Sequence, residues 1–524
     1  MKKIYILLIT TGMLAFGGCK KFLDVNDNPN APQVVQANLY LAPMLHWMVT
    51  SPAYDARFIG RYTQNWTITT TATSWDRQGY DPASDNGAQL FRDVYWSLGQ
   101  NLIDMTNIAE REQRWDLLGV GQILKAWGWL ALTDIHGEIP IKQAFEGSRT
   151  TFDYDTQEFA YQESFRLLNL AIANLNRKDG AVDSKYLGKT DVIYKGNAEL
   201  WIKFANGIKA MALNHFSNKS GLYKPDEVIA AVDASIGASD AEQPLLAYTG
   251  TANDDINFYA GVRDNLTNYR QTRFILGLLN GTQYPGVVDP RMSRMLSPSP
   301  DGQYRGLEIA QGVGALTVNE RPNNFWGYAT LQLSIRTPAR YIFSTKSKLP
   351  LFTYAQLQFV KAEAAYKKGD KVTALQAYKN GISAHFDFVN ARNSDDGQVP
   401  TQISVPEKEA YMAATSVIPA SASELTLTNI MLQKYIAQWG YGHLEQWMDL
   451  RRYHYKDLDP VTGEQVFAGF TPPTNLYADN GGNLVYRLRP RYNSEYIWNR
   501  EALDKIGGLA TDYHTKEMWI TIPQ

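Results

Sequence analysis

Cysteine is almost absent from this chain: Cys19 is the only one in 524 residues. No internal disulfide can form, so stability has to come from the core. Catalytic signatures are missing too. Seven histidines are scattered without HExxH or other zinc-ligand spacing, and no GxSxG elbow, Walker loop or GxGxxG turn occurs. Neither sign of charge is in excess, since 51 Lys and Arg against 53 Asp and Glu leave a formal net charge of −2. That balance argues against a nucleic-acid partner, which needs a basic face for phosphates, and against a polybasic membrane grip. The apolar run at residues 4–16 is too short to span a bilayer as a helix.

What is present begins around that run. Lys2 and Lys3 precede it and Gly17 and Gly18 follow it, the order of an export signal over residues 1–18. Cys19 directly after two glycines is the pattern of a bacterial lipoprotein, whose cysteine is lipidated. Several acyl chains, at ~0.8 kcal/mol per buried CH₂, would hold a soluble domain on a membrane durably. Phe16 stands where Leu is usual, three residues before the cysteine, which leaves an ordinary secreted protein as the alternative. Residues 20–32 are polar and lack an apolar period. We therefore expect a lipidated tether over 19–37 and one domain over 38–524.

Aromatics are abundant: 13 Trp, 31 Tyr and 20 Phe, enough to fill a large core and leave some for a binding surface. Helical periodicity starts near Asn38 and recurs over 90–108, 115–132, 156–175, 200–216, 354–368, 372–385 and 428–452. It places helix pairs at about 87–218 and 350–452, around an irregular region at about 225–350. One pair is specific. Gly369 ends a helix, Asp370 can cap the next, and the small residues Ala362, Ala374 and Gly381 stand where two helices would cross closely, which resembles a tetratricopeptide unit. The spacing assigns Trp96, Trp115, Trp127, Trp129, Trp201, Trp439 and Trp447 to the core. Glu445, Asp449, Arg451 and Arg452 lie about one turn apart and read as a structural ion-pair network. Asp81, Asp85 and Asn86 lack EF-hand spacing and read as a helix start; no metal or cofactor is expected.

Six short motifs follow one another behind the lipoprotein start. They are Cys19 with Phe22-Leu23-Asp24; Thr133-Asp134 leading to His136-Gly137-Glu138-Ile139-Pro140; Asp191, Tyr194 and Gly196-Asn197 before Trp201; Asp289-Pro290-Arg291; Thr353-Tyr354-Ala355 leading to Glu363; and Glu445 to Arg452 around Trp447. Together they resemble the SusD/RagB family of nutrient-binding outer-membrane lipoproteins. The resemblance implies a mainly α fold: a scaffold of tetratricopeptide-like helix pairs with a loop-rich, irregular ligand-binding region. It also implies an outer-membrane, lipid-anchored location facing the cell exterior and a partner, a TonB-dependent SusC-like transporter. Acidic residues after the cysteine are thinned to Asp24 and Asp27, which leaves the sorting direction open.

A protein that captures sugars or peptides needs flat aromatic faces with planar amides or guanidinium groups beside them, held on loops. Two stretches meet that need. The first supplies Asn65, Trp66, Trp75, Arg77 and Tyr80, the second Asn323, Asn324, Trp326 and Tyr328. The alternative is that these aromatics pack the loops onto the core. We expect a non-catalytic surface protein that captures oligosaccharides and delivers them to the transporter. Peptides are the alternative cargo, and a surface glycoside hydrolase or a tetratricopeptide adaptor the alternative classes.

Overall fold

The structure is a computed structural model and describes residues 35–70, 73–329, 339–396 and 400–523. The leader, Cys19 and most of the tether lie outside the described residues. Within them, no helix is long and apolar enough to cross a membrane.

Helices dominate, as expected. The longer ones are α1 Leu41–Tyr62, α2 Asn101–Arg111, α3 Trp115–His136, α4 Gln157–Leu175, α5 Ala198–His215, α6 Pro225–Asp233, α7 Tyr354–Lys368, α8 Lys371–Arg392, α9 Val405–Ala413, α10 Leu427–Gln438 and α11 His443–Arg452. Neighbours in sequence pack on one another: α2 on α3, α3 on α4, α4 on α5, α5 on α6. α7 then receives α5 and α6 on one side and α8 and α10 on the other, while α11 packs on α1 and α3. α3 is apolar nearly all round and is buried accordingly, while α7 is buried with the polar Gln356, Gln358 and Glu363 among its inward residues. Strands are few and short. β1 Trp66–Ile68 pairs antiparallel with β3 Tyr269–Gln271, and β2 Leu245–Leu246 with β4 Leu349–Pro350. The buried apolar residues form one cluster running from Ala37 to Ile520.

The α7–α8 turn has the local chemistry read from the sequence. Gly369 closes α7 at φ +90°, and Asp370 accepts the Thr373 N–H at 3.0 Å to cap α8. A Cβ at Gly381 would lie 2.8 Å from the Phe359 ring, so only glycine lets these helices meet so closely. The other motifs are similarly occupied with holding the chain together. Asp191 accepts N–H groups from Ile193, Tyr194 and Gly196 and the Trp201 indole at 2.8 Å, which shapes the entry into α5. Arg291, fully buried, forks onto Asp289 and donates to Gln433 at 2.8 Å.

The charged run of α11 is a buried network whose partners come from other helices. Arg452 donates to Glu363 of α7 at 2.8 and 3.1 Å, Lys434 of α10 pairs with Asp449 at 2.8 Å, and Glu445 meets His215 of α5 at 3.0 Å. Arg451 caps the Asp134 carbonyl at 2.7 Å and lies 3.9 Å over the Trp447 ring.

Three expectations are corrected. The segment 428–452 is two helices, α10 and α11, broken where Gly440 takes φ +91°. Trp96 is 70% exposed, because the inward stripe runs through Leu90, Val94 and Leu98 at spacings of four and Trp96 falls on the opposite side. Asp81, Asp85 and Asn86 do not cap a helix. The next helical turn, Gln89–Asp93, is capped from afar by Asp55 of α1, which accepts the Gln89 and Leu90 N–H groups at 3.1 and 2.7 Å. Burial pushes the Asp55 carboxyl up to about 7.

Candidate functional site

The structure divides the nine loop residues proposed for ligand contact. Trp66 and Asn324 are fully buried, as is Asn65. The Trp66 indole donates to the Ala56 carbonyl at 2.9 Å and its ring packs edge-on against Phe325, so the two aromatic loops do meet, but through their inner faces. Asn324 folds its own loop by accepting the Trp326 and Tyr328 N–H groups, and Trp326 donates to the Tyr259 carbonyl at 2.9 Å while 8% exposed. Each of these four has its ring or amide consumed by packing, which corrects the expectation that it faces a ligand. Arg77 spends its guanidinium on the Asn475 and Leu476 carbonyls. Asn323 and Tyr328 remain half-buried.

Trp75 and Tyr80 come together in a cleft of about 250 Å³ between the loop at residues 80–88 and the C-terminal segment at 487–500. That volume is near the lower bound of ordinary ligand pockets, ~300 Å³. Trp75 forms the floor. It is 4% exposed, its ring lies against Phe58 and Tyr62, and its indole donates to Asp81 at 2.9 Å. A Cβ at Gly87, φ +77°, would lie 2.6 Å from the Trp75 ring, so glycine alone lets the loop close over it.

The far wall was not legible as part of a site. Tyr492 and Tyr496 occupy one wide helical turn and stack with centroids 5.7 Å apart and planes 16° from parallel. Arg489 extends the tier, its guanidinium 4.3 Å over Tyr80 and 5.4 Å over Tyr496. The arginine is held by the Ala510 and Thr511 carbonyls at 3.0 and 2.9 Å. Asp85 pins the two walls together, accepting from the Asn493 backbone at 3.0 Å and side chain at 2.8 Å and pairing with Arg491 at 2.7 Å. Three of the rings are neutral at physiological pH: burial raises Tyr80 well above its ordinary value and Tyr496 to about 12, and burial with nearby Arg489 lowers His514 to about 4.

The cleft therefore presents flat uncharged rings, a positioned guanidinium and the Asn86 amide on a rigid frame. Such a surface stacks on the C–H faces of a sugar and bonds its hydroxyl edges. A larger open groove, about 860 Å³, lies between Arg273, Tyr304 and Thr471, but Tyr304 is its only half-exposed ring.

A helix-pair scaffold with a loop-built aromatic cleft defines a class of mainly α proteins, and the comparisons place the chain within it. The chain belongs to the SusD-like_2 family, described as starch-binding and associating with the outer membrane, whose model matches residues 29–474. Tyr492, Tyr496 and Arg489 lie beyond that match. In fold it is similar to a SusD/RagB family protein from Bacteroides thetaiotaomicron, with 20% identity, 94% of this chain and 100% of that one covered, and a TM-score of 0.69. A SusD homologue from Bacteroides fragilis shares 17% identity over 93% of this chain and all of its own, with a TM-score of 0.71. A chitin-binding SusD homologue from Flavobacterium johnsoniae shares 20% identity, with 94% of this chain and 99% of that one covered, at a TM-score of 0.64. No protein of curated function matches the chain.

Proposed function

We propose that the protein is a non-catalytic lipoprotein of the outer-membrane surface that captures oligosaccharides and delivers them to a TonB-dependent, SusC-like transporter. The observation that carries this reading is the tier of Tyr80, Arg489, Tyr496 and Tyr492 in one rigid cleft. Membership of a family described as starch-binding supports a glycan cargo over a peptide one, and the chitin-binding neighbour points the same way. Asp81 is the only carboxylate among the cleft's lining residues, whereas glycoside hydrolysis needs a flanking pair, which favours capture without turnover. Capture by a few rings is weak because sugar desolvation opposes it, and weak capture suits a protein that must release its cargo. Cys19 carries the lipid, and residues 20–34, at most ~50 Å when extended, tether the domain to the membrane.

Calorimetry of the mature chain against glycan and peptide panels tests the reading. Tyr492→Ala and Tyr496→Ala should each lose about 1–3 kcal/mol of glycan affinity, the scale of a stacked aromatic contact, with unchanged thermal unfolding. Sustained reducing-sugar release would replace the binder by a hydrolase, and peptide binding alone would replace the cargo. Cys19→Ala should release a folded, ligand-competent protein while nutrient uptake falls.

A further inference from the structure

We infer that the cleft selects anionic glycans, those bearing uronate carboxylates or sulfate groups. This rests on the cleft being the glycan site and narrows its ligand class. The ground is a pair of cleft arginines, Arg489 and Arg500, that have no acid partner among the described residues.

Four arginines line or flank the cleft, and two are already neutralised. Arg487 pairs with Glu138 at 2.7 Å and Arg491 with Asp85 at 2.7 Å. Arg489 and Arg500 are not. Arg489 bonds the Ala510 and Thr511 carbonyls and lies against the Tyr80 and Tyr496 rings, with no carboxylate at ion-pair distance among the described residues. Arg500 lines the cleft exposed, and among the described residues it has neither a hydrogen-bond nor a carboxylate partner.

Two nearby acids keep their charge but hydrogen-bond neutral donors rather than these arginines. Asp81 receives the Trp75 indole at 2.9 Å and the Asn86 amide at 2.8 Å, and Asp479 receives the Tyr80 hydroxyl at 2.7 Å. The lining therefore carries two arginines without acid partners, beside one carboxylate, Asp81, that keeps its charge but is turned to the Trp75 indole and the Asn86 amide. A guanidinium fork matches the planar oxygen pair of a carboxylate or the face of a sulfate, and Arg489 is pre-positioned, so little side-chain entropy is lost on engagement. A neutral sugar uses the rings and hydrogen bonds from Arg489 to its hydroxyls, whereas an acidic sugar adds ion pairs with both arginines.

The test is calorimetry of the mature chain with four probes of matched length: maltooligosaccharide, chitooligosaccharide, oligogalacturonate and a sulfated galactan oligosaccharide. The anionic probes should bind at least about tenfold more tightly than the neutral ones, with an advantage that shrinks as salt rises from about 0.05 to 0.5 M. Arg500→Gln, at an exposed position outside the core, should weaken anionic binding about tenfold and leave neutral binding unchanged. Arg500→Glu should weaken it further. Arg489→Lys, which keeps the charge but loses the fork, should weaken anionic binding while unfolding stays cooperative. Preference for uronate over sulfate, or the reverse, identifies which anion is read. Equal affinity for neutral and anionic probes, or an Arg500→Gln variant that shifts both alike, would overturn the charge selection and leave the glycan cleft standing. Binding of none of the four would overturn the cleft itself.

Discussion

The side-chain oxygen of Asn65 accepts the Gly440 N–H at 2.8 Å, joining residues 375 positions apart. The Asn65 carbonyl also receives the Trp439 indole at 3.1 Å, so one residue after α1 fixes both sides of the break between α10 and α11. Asn65 is fully buried, and its amide nitrogen donates to Thr63 and Gln446. Replacing it with leucine strands a buried N–H and should cost about 1–3 kcal/mol in chemical denaturation. Glycan affinity of the folded fraction should not change. A stable Asn65→Leu protein that no longer binds glycan would return this residue to the site.

Glu363 is the hub of the buried network around α7, α10 and α11. Besides Arg452 it receives Tyr453 at 2.6 Å and Asn214 at 2.7 Å. Burial alone would raise its carboxyl, but Arg452 and Lys434 outweigh burial and hold it well below the usual range. Glu363→Gln leaves two buried cations, Arg452 and Lys434, to share the single carboxylate of Asp449 and should cost about 3–5 kcal/mol at pH 7. The depressed folded value means that this stabilisation is present above the unfolded value, 4.5, and is lost as pH falls below it. Urea melts of both proteins should therefore converge on acidification. A constant difference down to pH 3 would contradict the linkage.

His215 lies between Asp134, 3.6 Å from its Nδ1, and Glu445, 3.0 Å from its Nε2. Burial alone would lower its affinity for a proton, but Glu445 and then Asp134 outweigh burial and raise it to about 9. A value raised on folding stabilises the protein fully below the unfolded value, 6.5, and is lost as pH rises through 9. For so buried a group the effect is on the order of 3 kcal/mol. The melting temperature of the native protein should fall between pH 6.5 and 9 relative to His215→Gln. Parallel pH profiles would show that the imidazole is neutral when folded.

Much of the scaffold is readable because its determinants are local. The Gly369–Asp370 turn needs a left-handed residue followed by a cap, and both are consecutive in the chain. Periodicity likewise marks α3, α4 and α7. It overran at 428–452, where Gly440 takes a left-handed turn that is held by Asn65, a residue no window of neighbouring residues contains. Trp66 and Trp326 misled for the opposite reason. Their loop setting suggested exposure, but burial is decided by Ala56, Tyr259 and Phe325 arriving from elsewhere.

The amino-acid sequence by itself determined the helical class, the family and the near-neutral charge, since composition, spacing and short motifs carry these without long-range contacts. Only the tertiary structure decided which aromatics can meet a ligand. Trp75 and Tyr80 gain their partners Arg489, Tyr492 and Tyr496 from about four hundred residues away, and Asp85 locks the two segments together. Exposure and charge balance are sums over neighbours in space, and for this cleft those neighbours are not neighbours in the chain.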